Sequence, residues 1–397
     1  MPGEGKRLRI LHVLPYFYPA WAYGGIPRVV YELSREMVRQ GHDVTVFSTD
    51  VLDDTLRSPY SGQETLIDGI KTVYFRNISN AMAYSWQAFL PIGLGRYARG
   101  AITGFDILHL HGHRHVLNSV IRRQAVQRGV PYVFSGHGTS VNIERRTLLK
   151  SFFDQIMGNR VIRDASAFVA VSEHEVYQYA SLGIPTEKTT VIHNGIDIDA
   201  FSRLPSRNFF RKQYGLMGKK MILYMGKITP RKGIDFLARA FARLSGNDAV
   251  LVIAGNDMGF KKQVEAVIKE MSIGDRAIFT GLLTGDDKLA AFQDADVLVY
   301  PSIYEIFGLV PFEAIMCGTP VIVTDDCGCG EIIGREDIGY LVEYGNVKAL
   351  VAAVKRVFSN PAEASGKVER GQRFIGETLG WKRIGRKYID LYTRVVS

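Results

Sequence analysis

Short apolar runs rich in β-branched residues recur along the chain, and they alternate with segments whose apolar positions repeat at helical spacing. That alternation predicts α/β architecture, with parallel strands joined by crossover helices. Residues 10–14, 44–48, 107–110, 132–135 and 167–171 read as strands of a first half. Pro27 opens a helix over residues 28–40, and Gly41-His42 makes the tight return. A second set begins with a strand at 221–224 and a helix at 234–244, followed by strands at 249–253, 277–279, 297–300 and 321–324. Between the sets, residues 195–220 carry mixed charge, Pro205, Gly215 and no trustworthy period, so they read as a linker. Residues 381–396 predict an amphipathic helix with Ile384, Tyr388, Ile389, Leu391, Tyr392 and Val395 on its apolar side.

Length agrees with two halves, because 397 residues exceed one ordinary core. A chain that is 46% hydrophobic and 22% charged folds rather than staying disordered. Its 3 cysteines, Cys317, Cys327 and Cys329, are too few and too late to form a disulfide scaffold, which suits a reducing cytoplasm. The basic start is followed by an apolar run too short for a secretory signal. The long uncharged stretch between Arg76 and Arg96 is broken by Asn, Ser, Gln, Pro91 and Gly, so it does not read as a spanning helix. The expected location is therefore cytoplasmic, or peripheral on the inner face of the cell membrane. A net charge of +9 leaves a nucleic acid, a phosphate-bearing ligand or an anionic membrane as partner.

Glycines near strand ends favour phosphate, since free N–H groups at helix N-termini attract anions there. Three segments have this form: Tyr23-Gly24-Gly25-Ile26-Pro27, the run from Gly226-Lys227 to Arg231-Lys232-Gly233, and the run from Glu305 to Glu313. None is a G-x-G-x-x-G fingerprint or a Walker loop, which removes most support for dinucleotide oxidoreductases and P-loop kinases. Glu305 and Glu313 stand eight residues apart around Phe307-Gly308-Leu309, and Pro311 is placed to open a helix with Glu313 in its first turn. A carboxylate there can be simple dipole pairing. The chemical alternative is that loop N–H groups face a diphosphate while the two carboxylates take hydrogen bonds from sugar hydroxyls on either side.

The run Glu305–Phe307-Gly308-Leu309–Glu313-Ala314–Gly318-Thr319-Pro320-Val321 resembles the E-x7-E signature of the family 4 retaining glycosyltransferases. Gly24-Gly25 with Arg28, His109-x-His111, His137-Gly138, Val171-Ser172, His193-Asn194-Gly195-Ile196-Asp197, Gly226-Lys227, Lys232-Gly233, Ala254-Gly255 and Phe279-Thr280-Gly281 follow the same family in order. The resemblance covers essentially the whole chain. It implies the GT-B fold: two Rossmann-like doubly wound domains facing each other across a cleft. Residues 1–198 would bind the acceptor, residues 199–378 the nucleotide sugar, and residues 379–397 would form a helix crossing back to the first domain.

Roles follow position by position from that resemblance. Glu313 would hold the donor ribose, and Glu305 would lie near the transferred sugar. Backbone groups of Phe307, Gly308 and Leu309 would touch sugar and diphosphate, with Gly24 and Gly25 closing on the phosphates. Lys232 would stabilise the leaving diphosphate. Lys227 stands where the family usually has Arg, so a point charge replaces a bidentate fork and Arg231 would share the work. His137 would lie close to the transferred sugar. The resemblance implies retention of configuration, positive groups rather than a metal against the phosphates, and no cofactor beyond the nucleotide-diphosphate sugar. In accord with this, Asp294-Ala295-Asp296 and Asp197-Ile198-Asp199 read as turn and capping residues, and Cys327-Gly328-Cys329 as a structural turn. His109, His111, His113 and His115 alternate as strand residues do, which would put all four on one face, and His111 could face the cleft.

The acceptor would be a glycan or a polyprenyl- or lipid-linked sugar. Residues 114–163 hold nine Lys or Arg against two acids, interleaved with Leu148, Leu149, Phe152, Phe153 and Ile156. Such a surface suits anionic lipid, although an ordinary helix with one solvated basic face has the same composition. Two other functions compete. A GT-B sugar-nucleotide epimerase would share the phosphate grips, and a basic nucleic-acid-binding protein would explain the charge but not the glutamate pair.

Overall fold

The computed structural model describes residues 6–140, 153–244 and 248–397. The chain divides into two compact units, one running to Gly195 and completed by Trp381–Ser397, the other Ile196–Gly380.

The first unit holds an eight-stranded sheet in the order β3-β4-β2-β1-β5-β6-β7-β8. Its strands are β1 (Arg9–Val13), β2 (Asp43–Thr49), β3 (Glu64–Ile67), β4 (Ile70–Phe75), β5 (Ile107–His111), β6 (Tyr132–Ser135), β7 (Ala167–Ala170) and β8 (Thr189–Val191). All neighbours are parallel except β3 with β4. β3 and β4 lie outside the predicted strands. They form a hairpin closed by Asp68-Gly69, both at positive φ as a tight two-residue turn requires. β1 and β5 are fully buried apart from Arg9, as expected for central parallel strands with both faces covered.

The second unit is a six-stranded parallel sheet, β11-β10-β9-β12-β13-β14. It comprises β9 (Lys220–Met225), β10 (Ala249–Ala254), β11 (Ala277–Gly281), β12 (Val297–Tyr300), β13 (Val321–Thr324) and β14 (Tyr340–Val342). In both sheets the strand order reverses beside the first strand, between β1 and β5 and between β9 and β12. Ligands of doubly wound sheets bind at the carboxyl ends of such pairs.

Residues 195–220 are not a linker. From Ile196 onward they belong to the second unit. The short helix Phe209–Gln213 buries Phe210 completely, and Asp294 takes the backbone N–H groups of Asn208 (2.7 Å) and Arg211 (3.2 Å). Asp296 accepts from the Arg211 guanidinium and from Met221 N, both at 2.7 Å. The Asp294–Asp296 pair thus fastens this segment to the start of β9. A five-residue helix is too short to leave a readable period, which is why the segment resembles a linker in sequence.

The helix Trp381–Val396 packs in the first unit against the helix Gly25–Arg39. Gly385 permits the approach: a Cβ there would lie 2.8 Å from Gln40 Nε2 and 2.9 Å from Glu36 Cγ. Gly195 plays the same part beneath the Trp381 ring. Among the described residues no helix is long and apolar enough to cross a membrane.

Candidate active site

In the second unit the loops after β9 and β12 come together at the point where the strand order reverses. Gly226 follows β9, and the short turn Pro230–Lys232 ends at Gly233, whose φ of 60° starts the helix Ile234–Phe241. A Cβ on Gly233 would fall 2.2 Å from Pro301 O, so only glycine lets the two loops close. Lys232 Nζ reaches across to donate to Tyr300 Oη (2.7 Å) and to pair with Glu305. Tyr300 Oη in turn donates to Glu305 Oε2 at 2.9 Å. Burial would raise the Glu305 carboxyl, but the charge and hydrogen bond of Lys232, the Tyr300 hydroxyl and the charge of Arg231 together hold it below the ordinary range. Burial lowers Lys227, aided by the like charge of Lys232 and opposed by Glu305.

Glu305 is held in place through its backbone, whose carbonyl accepts from Gly328 N at 2.7 Å. Gly308, at φ 75°, caps the helix Leu309–Met316; a Cβ there would press on Cys329 Sγ at 3.0 Å and Glu305 Cγ at 3.2 Å. That helix begins at Leu309, so Pro311 lies inside its first turn and Glu313 falls in the second, one turn later than predicted. Proline is tolerated there because the first turn has no internal acceptor for its missing N–H. The Phe307 ring is buried and stacks on Phe312 (5.3 Å between centroids). Lys288 Nζ donates to Glu313 Oε1 at 2.8 Å. Lys288 and Tyr300 were not singled out from sequence; each is a common residue whose role arises from a partner on another element.

The first unit places Gly24 at φ 107° as the cap of the helix Gly25–Arg39, immediately after the short turn Trp21–Tyr23. His137 follows β6 with φ 50°, and both flanking peptides are pinned. Gly136 N donates to Tyr179 Oη (2.6 Å) and Gly138 N to Glu175 Oε1 (2.7 Å). Both acceptors stand on the helix Glu173–Ser181. Glu175 also accepts from Val171 N at 2.9 Å, and burial raises its carboxyl to about 7 despite these bonds.

The four alternating histidines do not share one face. β5 ends at His111, and Gly112 and Arg114, both at positive φ, turn the chain away. His111 is buried instead of facing outward. His113 pairs with Asp154 at 3.0 Å, and His115 packs against Phe89. His109 and His111 do point the same way, and with His12 of β1 they bring ring nitrogens within 4.8 Å of one another. Hydrogen bonding accounts for this cluster: every ring nitrogen of the three except His12 Nε2 has a partner. The 2.8 Å between His12 Nδ1 and His111 Nε2 is shorter than the roughly 3.3 Å between two nitrogens on a tetrahedral zinc.

The basic run at 114–163 is less exposed as charge than its composition predicts. Arg114 pairs with Asp154, and Arg122 and Arg163 pair with Asp164, one residue beyond the window. Glu144, Arg145, Arg146, Leu148, Leu149, Lys150 and Phe152 lie outside the described residues. The three cysteines are free and buried; Cys327 Sγ accepts from Gly330 N at the start of the helix Gly328–Arg335, with Cys329 Sγ 3.2 Å away.

Solved structures share this architecture over nearly the full length. An Anabaena protein crystallised with UDP-glucose superposes with a TM-score of 0.77 at 19% identity, covering 98% of this chain and 100% of that one. The fold of the chain is therefore GT-B. The family described as Glycosyltransferase Family 4 matches residues 23–200, and that described as Glycosyl transferases group 1 matches residues 206–374. The chain belongs to the family 4 glycosyltransferases. An uncharacterized glycosyltransferase of Methanocaldococcus jannaschii is 29% identical over 94% of this chain and 95% of its own. The N-acetyl-alpha-D-glucosaminyl L-malate synthase of Bacillus anthracis is 25% identical over 96% of each.

Proposed function

We propose that the protein is a retaining glycosyltransferase that moves a hexose-type sugar from a nucleotide-diphosphate sugar to a hydroxyl of a glycan or lipid-linked acceptor, in cell-envelope polysaccharide or glycolipid synthesis. The observation that carries this reading is the Lys232–Tyr300–Glu305 cluster beside the Gly308 helix start, at the carboxyl ends of β9 and β12. Backbone N–H groups of that helix start receive the diphosphate, and Lys232 with Lys227 and Arg231 offsets the negative charge that grows as the anomeric bond loosens. Glu313 holds the ribose diol, and Glu305 accepts from the transferred sugar. The positive side chains do the work that a divalent metal does in other transferases, and no cofactor is needed. Glu305 is engaged by Lys232 and Tyr300, so it serves as an acceptor for hydroxyls and not as a nucleophile. The acceptor hydroxyl then attacks on the face the diphosphate leaves, passing its proton to the departing phosphate oxygen as the new anomeric bond forms, so configuration is retained.

The test is a panel of nucleotide sugars scored by thermal stabilisation and by release of nucleoside diphosphate, with and without EDTA. Stabilisation by one such donor, turnover unchanged by EDTA and an axial product anomer from an axial donor are expected. No response to any nucleotide sugar would overturn the reading.

A further inference from the structure

We propose that His12 and His111 are positioning residues for His137: the three rings form one hydrogen-bonded file, each neutral with its proton on Nδ1, so that His137 meets a substrate as a hydrogen-bond donor and not as a base. This rests on the proposed glycosyl transfer and on the place beside the transferred sugar that the family resemblance implies for His137, and it specifies that place.

The file runs from the interior of the sheet to the loop. His12 Nδ1 lies 2.8 Å from His111 Nε2, and His111 Nδ1 lies 3.0 Å from His137 Nε2. His12 and His111 are 0% and 1% exposed. Burial lowers His12 to about 3 and His137 to about 4, and with the neighbouring His109 and His12 it takes His111 well below its ordinary value. All three rings are therefore neutral at physiological pH.

A neutral imidazole has one N–H and one lone pair. Both contacts in the file can be hydrogen bonds in only two arrangements, with every proton on Nδ1 or every proton on Nε2. The difference falls at the inner end, where His12 Nε2 is buried with no partner among the described residues. One arrangement leaves a bare lone pair there and the other an orphaned N–H. Buried N–H groups without acceptors are the rarer case in folded proteins. The Nδ1 arrangement follows, and it makes His137 Nε2 an acceptor for His111 and His137 Nδ1 the ring's donor.

Other groups around the file leave it intact. His109, whose ring centroid is 3.9 Å from that of His111, has both nitrogens committed elsewhere: Nδ1 to Tyr392 Oη (2.5 Å) and Nε2 to Ser135 Oγ (2.7 Å). Glu175 and Tyr179 face the peptides on either side of His137 and fix its backbone. What remains free at His137 is the turn of its ring and the site of its proton, and His111 sets both.

The tautomers can be read directly from ¹⁵N shifts of histidine-labelled full-length protein without any substrate. Nδ1–H signatures for His12, His111 and His137 at neutral pH are expected; an Nε2–H or doubly protonated His137 would overturn the proposal. His111→Leu removes the donor to His137 Nε2, and about a tenfold loss of kcat with donor KM unchanged is expected. His111→Asn, whose amide nitrogen takes the place of Nδ1, restores most of that loss and the Nδ1–H signature at His137. Equal loss in both variants would also overturn the proposal. If His137→Ala leaves transfer intact, the role given to His137 fails, and the NMR result still reports separately on the file.

Discussion

All nine histidines of the chain lie in residues 1–195, and none falls in 196–380. The two units build similar parallel sheets and both hold buried or partly buried ion pairs, Arg57 with Asp50 and Arg114 with Asp154 in the first, but only the first adds a set of buried imidazoles. In the first, buried imidazoles shed their protons and sit as neutral rings, bonded to neighbours except at His12 Nε2 and His115 Nδ1. In the second, ions are kept and paired, Lys232 with Glu305 and Lys288 with Glu313. A neutral ring needs no counter-ion but ties the unit to a narrow range of protonation. An ion pair tolerates pH and instead fails when one partner is removed.

The largest effect should come from breaking the ionic side of this contrast. Lys232→Ala leaves Glu305 without the ammonium it pairs with and, on the proposed function, takes a cation from the diphosphate. A fall of about a thousandfold in kcat at saturating donor is expected; a fall below tenfold would show that the grip lies elsewhere. If Glu313 holds the donor ribose as proposed, Glu313→Ala should act on binding, raising donor KM about ten- to a hundredfold for the loss of charge-assisted hydrogen bonds. Lys288→Met, which only frees Glu313 Oε1 from its anchor, should raise the same KM a few-fold.

The neutral side is broken by acid. His12, His115 and His137 have folded values near 3, 3 and 4, below the roughly 6.5 of an unfolded chain. The unfolded chain therefore binds protons first, so stability is fully present above about pH 6.5 and drains away as pH falls toward those folded values. Glu175, raised to about 7, works the other way between about 4.3 and 7, but it is one group against several. Glu305 is lowered, so its contribution in the second unit persists until pH falls below about 4.3. Hydrogen exchange at pH 5 and 7.5 should show the first unit losing protection at the lower pH while the second is unchanged. Uniform loss in both units would remove the contrast. The smallest effect is expected for Arg122→Ala, since its partly exposed pair with Asp164 is worth about 1 kcal/mol or less in thermal unfolding.

What the sequence revealed depends on distance along the chain. The strands at 132–135, 297–300 and 321–324 and the final helix were legible because each is a local pattern. So were Glu305, Gly308 and Glu313, which form a motif within nine residues. Tyr300, Lys288, His12 and Glu175 were not, since their meaning comes from partners on other elements: Lys288 meets a carboxylate on a separate helix, and His12 meets His111 across two paired strands. The histidine alternation misled because strand spacing says nothing about where a strand stops, and Gly112 stops this one. The Asp68-Gly69 turn was readable in principle, as a two-residue hairpin signal between apolar runs.

The helix Trp381–Val396 has a consequence for the order in which the protein is made. It covers His109 through Tyr392 and lies along the helix Gly25–Arg39. The ribosome therefore delivers every residue of the second unit before it supplies the part that closes the first. A nascent chain halted near residue 380 would hold one unit with all its strands and another with an uncovered flank, so the half begun first is the half finished last.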